Sequence, residues 1–401
     1  MMCTQIKDGT QTRYAEQQMT ALHDVMPSVE YIIEMGKNSP FLRKLFARMA
    51  ECGYQGKRQN TTAAFCFLKD LCDEAGVNIS RQTLSNWLKE GKVAHNTTAR
   101  ENVYKLCFAL KMNAQQTEEF FLKGYLARPF NYKSLYETVC YFCLYHHEQY
   151  RYADVERIKS IIESTPPVSG TEPPEFTVMI RSSLKACNTE SDLIEYWRQQ
   201  STSFGMTKYT AKSEVESLLK RCYEVVPKDQ KRRVKKPSDL LEIIFNYRAR
   251  REENGERKYR ISIAKSNLPD CVKQNFPDPQ KIWKILSDLE NNTDKSTDDM
   301  LRKAIIVLNF YAFFADYDRR TKEPKKYGQP HMRPFEAFTE QMNLCLERCG
   351  YVRLYWQNPF DWMFGYCAKQ RYPLIALKEI IKVSYLDNCN NEILSEEDDD
   401  E

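Results

Sequence analysis

Glycine is scarce in this chain, at 13 of 401 residues, and histidine scarcer, at five: His23, His95, His146, His147 and His331. No glycine-rich phosphate loop, no His-Glu-x-x-His and no nucleophile elbow is present. Acidic side chains are common on helix faces, but none is read as standing alone in an apolar setting that would shift its pKa by burial. The expectation is therefore a non-enzyme, with no catalytic residues, no metal site and no cofactor. Long apolar runs are also lacking. The nearest, Ile305 to Phe314, is too short to span a bilayer and runs into Asp316 and Asp318. The opening Met1-Met2-Cys3-Thr4-Gln5 has no positive start followed by an apolar stretch, so a cytoplasmic chain without membrane contact is expected.

What is abundant points to helices. Apolar residues make up 42%, with 24 Tyr and 20 Phe, which suits packed helices better than a glycine-punctuated α/β enzyme. The length fits two or three domains. Fourteen cysteines in so long a chain read as reduced, mostly buried thiols rather than a disulfide framework. Cys140, Cys143, His146 and His147 have spacings that a metal site allows, but both cysteines fall in a helix-like run with no partner pair nearby. They are read as buried thiols beside exposed histidines. Net charge is +4; removing the six acids of the tail, Glu396 to Glu401, leaves +10 on the rest. A mildly basic body permits nucleic acid as a partner.

Along the chain, residues 1 to 20 read as polar and loose. Ser39-Pro40 opens a helix with a serine cap and proline at the first helical position, burying Phe41, Leu42, Leu45, Phe46 and Met49. Gly53 to Asn60 is a break carrying Lys57 and Arg58. Thr62 to Glu74 reads as a helix with Phe65, Leu68 and Leu71 inward, helped by Cys66 and Cys72. Asn113 and Gln116 fit a capping box. Tyr132 to Tyr152 reads as one long aromatic helix. A proline-rich break follows at residues 162–178, and helix resumes from Phe176 to Tyr196 and from Ala211 to Val226. Lys228 to Lys236 holds six cations in nine positions, a candidate second basic patch through Lys231, Arg232, Arg233, Lys235 and Lys236. Arg257 to Ile263, after Asn254-Gly255, is the one strand-like passage, placed to form a small hairpin with the residues before Gly255. Leu301 to Tyr317 must be a central helix covered on most sides, Arg319 to Met332 a charged loop, and Asn358-Pro359-Phe360-Asp361 a capped helix start.

Ser80-Arg81-Gln82-Thr83-Leu84-Ser85-Asn86-Trp87-Leu88-Lys89-Glu90-Gly91 stands out. Ser80 can cap the helix and glycine ends it. Leu84, Trp87 and Leu88 share one face by three-and-four spacing, and Arg81, Gln82, Ser85, Asn86 and Lys89 occupy the other. Preceded by the helix ending near Gly76, this is a helix–turn–helix pattern. "AGVNISRQTLSNWLKEG" resembles the turn and recognition helix of the repressor-like helix-turn-helix domains of bacteria and phages, the phage repressor and Cro type. "ARENVYKLCFALKMNAQQTEEFF" resembles their last two helices. The resemblance covers roughly residues 60 to 125, and two extra residues lengthen the turn before Ser80. It implies that Arg81, Gln82, Thr83, Ser85 and Asn86 face bases in the major groove. Lys57, Arg58, Lys89, Lys92 and Arg100 are the candidate contacts to the DNA backbone. Near the other end, "LRKAIIVLNFYAFF…NPFDWMFGYCA" is similar to the C-terminal region of uncharacterised clostridial-type helix-turn-helix proteins, which bears on architecture alone.

The expected fold is mainly all-α: an N-terminal helix-turn-helix domain followed by a large irregular helical body, with room for one small β-hairpin. The expected segments are a helical extension (1–60), the helix-turn-helix domain (61–128), a central helical region (129–236), a C-terminal helical domain (237–390) and an acidic disordered tail (391–401). The expected function is a sequence-specific DNA-binding transcriptional regulator of bacterial or mobile-element type. It would bind double-stranded DNA as a homodimer, with an unknown protein or ligand at the C-terminal domain. Two alternatives stay open. One is a helical interaction or scaffold protein whose helix-turn-helix does not read DNA. The other is a defence-related effector or nuclease with catalytic carboxylates hidden in the sequence.

Overall fold

The computed structural model describes residues 8–37, 39–91, 93–166, 177–199, 209–236, 239–245, 249–251, 257–259, 279–290 and 296–385. Regular structure among them is almost entirely helical. They fall into two compact units, one of residues 39–209 and one of residues 1–38 with 210–401. The expected limits 61–128 lie inside the first. The acidic tail, 391–401, lies outside the described residues.

The 39–209 unit begins at the third helix of the chain, α3 (Pro40–Glu51). As expected, Pro40 sits in its first turn and the Ser39 hydroxyl accepts the Leu42 N–H at 3.3 Å. Asn60 caps α4 (Thr61–Glu74) through the Ala63 N–H. There follow α5 (Arg81–Glu90), α6 (Thr97–Ala109) and α7 (Ala114–Phe120), the last opened by the expected capping box of Asn113 and Gln116. α7 runs into a single π-helical turn, Phe121–Tyr125. Gly124 lets α3 approach that turn closely, since a Cβ there would lie 3.1 Å from the Lys44 Cβ. Phe41, Leu45, Leu68, Leu84, Trp87, Val103, Phe120 and Phe121 are packed into one core. Cys66, expected to help cover it, is instead exposed.

The expected long helix from Tyr132 to Tyr152 is two helices, α8 (Leu135–Tyr145) and α9 (Tyr152–Ser164). The break has a local cause: the Asp154 carboxylate accepts the Arg151 N–H at 2.8 Å and starts α9 afresh. The stretch expected to be helical from Phe176 to Tyr196 likewise divides into α10 (Thr177–Ala186) and α11 (Glu190–Gln199). There the Thr189 hydroxyl accepts the Asp192 N–H while Asp192 accepts the Thr189 N–H, a reciprocal cap.

In the second unit, residues expected to be loose form α1 (Asp8–Ala21). Ala15 and Met19 are buried, and the Trp362 indole N–H donates to the Ala15 carbonyl at 2.9 Å. α2 (Val25–Lys37), α12 (Tyr209–Val225), the short α13 (Lys228–Lys231) and α14 (Leu240–Phe245) follow. The small hairpin is present: β1 (Ala249–Arg251) pairs antiparallel with β2 (Arg257–Tyr259), Arg250 opposite Lys258. After α15 (Pro279–Glu290) comes α16 (Asp298–Lys322), the expected central helix, in which Ile305, Ile306, Leu308, Phe310 and Phe314 are fully buried. It continues past the expected end because Arg319 and Arg320 both pair with Asp316 one turn back, and α17 (Pro324–Tyr327) replaces part of the expected loop. α18 (Pro334–Arg348), α19 (Pro359–Lys369), capped by Asn358 as expected, and α20 (Pro373–Tyr385) complete the unit. No helix among the described residues is long and apolar enough to cross a membrane.

A buried ion pair lies among the described residues of this unit. Asp361, fully buried in the first turn of α19, accepts two hydrogen bonds from Arg302 of α16, at 2.8 and 2.7 Å, and the Tyr355 N–H at 2.8 Å. Asp361→Asn leaves the buried guanidinium without its counter-charge. It should lower stability by about 3–5 kcal/mol, read as a shift of the urea midpoint of the full chain; a loss under about 1 kcal/mol would show the pair to be effectively solvated.

Candidate nucleic-acid interface

The connection between α4 and α5 is longer than in the helix-turn-helix resemblance, and the structure shows how it is held. Gly76 takes the left-handed conformation (φ +66°). Its N–H donates to the Asp73 carbonyl at 3.1 Å, and the Val77 N–H reaches back to Cys72 at 2.9 Å. This pair of bonds closes the end of α4 as a Schellman motif. Val77 and Ile79 are buried, while Asn78 and Ser80 between and after them are exposed. The two added positions thus follow an in–out alternation that pins the segment to the core. Ser80 then caps α5, accepting the Thr83 N–H at 3.1 Å, and its hydroxyl lies 2.8 Å from the Thr83 hydroxyl.

α5 separates its two faces as its spacing predicts. Leu84, Trp87 and Leu88 are buried, with Trp87 edge-on to Phe41 at 5.4 Å. Arg81, Gln82 and Lys89 are exposed; Thr83, Ser85 and Asn86 are half-buried. The Gln82 amide donates to the Asn86 carbonyl oxygen at 2.7 Å, which aligns two amides one turn apart. The Arg81 guanidinium lies 5.6 Å from the centre of the Phe65 ring. Phe65, expected inward, is half-buried and forms this platform on α4. At the other end, Gly91 is left-handed (φ +61°), and its carbonyl accepts the Ser39 hydroxyl at 2.9 Å. A side chain on Gly91 would overlap that hydroxyl. The C-terminus of α5 is therefore locked to the N-terminus of α3.

Lys57 and Arg58 are exposed on the loop before α4. That loop is held by Tyr54, whose hydroxyl lies 3.4 Å from the carbonyls of Lys57 and Asn60 and whose ring packs against Phe46 and Phe67. Lys92 lies outside the described residues.

Arg100 departs from expectation. Read from sequence as a phosphate contact, it points inward from α6. Its guanidinium makes two hydrogen bonds to Glu137 of α8, at 2.7 and 2.6 Å, and a third to the Pro129 carbonyl. Glu137 also accepts the Tyr104 hydroxyl at 2.8 Å and the Asn131 N–H at 2.7 Å. Burial alone would raise the Glu137 carboxyl, but the Arg100 charge and its hydrogen bonds outweigh that and hold it below its usual value. The reading that burial shifts no acid is corrected at Asp318, whose carboxyl burial raises; Glu137 and Asp361 are buried as well, but each is paired with an arginine. The signal was there: each is the one acid in its neighbourhood, in Leu135-Tyr136-Glu137-Thr138-Val139 and Pro359-Phe360-Asp361-Trp362-Met363.

Cys140 and Cys143 are buried thiols whose pKa burial pushes up, and His146 bonds the Cys187 carbonyl at 3.0 Å. His147, like His146, is half-buried rather than exposed. The second basic patch belongs to the other unit. Arg232, Arg233, Lys235 and Lys236 are exposed there, and the Asp239 carboxylate ties down the backbone N–H groups of Lys235 and Lys236. Lys231 is half-buried, its ammonium 5.1 Å from the centre of the Tyr223 ring. The sequence matches no protein-family model and no curated protein, and the structure matches no solved structure.

The depressed Glu137 carboxyl contributes stability that is present above the unfolded value, roughly pH 4.3, and lost as pH falls through the lower folded value. Amide exchange in α6 and α8 should therefore speed up below about pH 4. Glu137→Gln should speed it already at neutral pH and flatten the acid response; exchange that matches the unaltered chain at both pH values would refute the assignment. Gly91→Ala should cost at least about 1 kcal/mol, because it combines a left-handed backbone with loss of the Ser39 contact. Thermal unfolding that tracks the unaltered chain would show that the α3–α5 junction is slack.

Proposed function

We propose that the 39–209 unit reads double-stranded DNA, with α5 as the recognition helix of a sequence-specific transcriptional regulator of bacterial or mobile-element type. The observation that carries this reading is the division of α5. One face is fully used in the core, and the opposite face puts Arg81 and Gln82 in solvent at the helix start, with Ser85 and Asn86 a turn further on. Arginine pairs bidentately with guanine, and glutamine or asparagine with adenine, in the major groove. The N-terminal part of a recognition helix is where base contacts concentrate.

The surrounding geometry supports the same reading. Ser80, the Gly76 closure and the Ser39–Gly91 bond fix α5 at both ends, so the reading face is held without waiting for a partner. Lys57, Arg58 and Lys89 are exposed cations suited to phosphates. Arg100 is withdrawn from that set by its bonds to Glu137. One short helix offers few base contacts, so the reading includes a homodimer on two half-sites about one helical turn apart.

Enrichment of fragmented genomic DNA on the immobilised full chain tests the proposal, and recovery of no preferred site would sink it. Arg81→Ala with Gln82→Ala should relax sequence preference, each lost bidentate contact being worth about 1–3 kcal/mol of discrimination. Lys57→Ala, Arg58→Ala and Lys89→Ala should instead weaken binding to all sequences alike and each lower the salt slope by about 1. Uniform weakening by the first pair would reverse the assignment of roles.

A further inference from the structure

Two cations of the densest basic run, Lys228 and Lys231, line a cavity, while Arg232, Arg233, Lys235 and Lys236 stay exposed. α13, which carries Lys228 and Lys231, forms one wall of a cavity of about 560 Å³ within the unit of residues 1–38 and 210–401. That volume falls within the usual span of small-molecule sites, roughly 300–1,000 Å³. The end of α12 and parts of α14, α16, α17 and α20 form the remaining walls.

The lining has two chemical halves. Val225, Ile243, Ile244, Tyr311, Ala315 and Leu374 give an apolar surface. Tyr311 is almost fully buried, and that burial pushes its hydroxyl pKa up. Lys228, Lys231, Arg319, Lys322, Lys326 and Lys378 bring six cations, against three lining carboxylates, Glu224, Asp318 and Glu323, and Asp316, which pairs with Arg319 from just outside the lining. Several of these charges are already organised. Arg319 and Lys326 lie 4.4 and 4.7 Å from the centre of the Tyr327 ring, and Lys326 bonds Glu323 at 3.0 Å. Asp318 is half-buried; burial raises its carboxyl pKa and Lys322 opposes that rise. A surplus of positive charge against a low-dielectric wall favours an incoming anion more than the same charges would in open water. The aliphatic surface favours a ligand with an apolar body.

We propose that this cavity is a binding site for a small organic anion, an apolar chain or ring ending in a carboxylate or phosphate. The inference does not rest on the DNA reading, since every residue it uses lies in the other unit and its assay contains no DNA.

The probe is 1-anilinonaphthalene-8-sulfonate, titrated by fluorescence into the folded full chain. Saturable binding is expected, displaced by decanoate or decyl phosphate at concentrations about tenfold or more below those needed with decanol, a preference of about 1.4 kcal/mol. Whichever acid competes at the lower concentration identifies the head group. Lys322→Glu, a change at an exposed position, should weaken probe binding about tenfold and reduce its salt dependence. Ala315→Trp should fill the cavity and abolish saturable binding, with circular dichroism confirming that each variant is folded. Displacement by decanol as readily as by the two acids, or probe binding unaltered by Lys322→Glu, would overturn the proposal.

Discussion

A single carboxylate ties α6 to α8 in the 39–209 unit. Glu137 is the third residue of α8, where the helix dipole favours negative charge. Its two oxygens accept from Arg100 and Tyr104 on α6 and from the Asn131 N–H in the turn before α8. Leaving one buried charge unpaired costs several kcal/mol, so any rotation of α6 on α8 that broke this set would be opposed strongly. The same device recurs in the other unit. Asp361, third in α19, gathers Arg302 and the Tyr355 N–H in the same way. Each unit thus holds, inside a mostly apolar helical core, a buried carboxylate that an arginine from another helix and a backbone N–H satisfy together.

Features decided within a few residues were legible in the sequence. The caps at Ser39, Ser80, Asn113 and Asn358 all stand where their side chains accept the expected N–H groups, because a capping bond spans only two or three residues. The central helix α16 was legible because its apolar positions leave no solvent face through Ile305 to Phe314. Features decided by distant partners were not. α1 looked loose because its polar composition hides Ala15 and Met19, whose burial depends on Trp362 and its neighbours far along the chain. The restarts at α9 and α11 were missed for a different reason: Asp154 and Asp192 cap locally, but within runs whose aromatic and apolar spacing masks the interruption.

The candidate interface divides along the same line. The two faces of α5 follow from three-and-four spacing, and the structure keeps Leu84, Trp87 and Leu88 on one and Arg81, Gln82 and Lys89 on the other. Arg100 looked like another exposed cation in a polar connection, yet its partner lies on α8 and nothing nearby in sequence announces the pairing. The basic run at Lys228 to Lys236 looked uniform, and the fold sorts it: Lys228 and Lys231 to a cavity wall, Lys235 and Lys236 to a turn tethered by Asp239. Charge density could be counted from sequence; the direction each charge faces required the fold.

The hydrogen bond from Ser39 to Gly91 bears on how much of the chain is needed to hold α5 in place. The segment that resembles a compact repressor domain starts near residue 60, but the seat for the end of α5 is built by α3, which precedes that segment. A fragment trimmed to the resemblance would retain every proposed base-facing residue and lose the helix that orients them. The compact unit that contains α5 begins at Ser39. Moving α5 into another chain would have to carry α3 along with it, so the unit that seats α5 is larger than the segment that carries the resemblance.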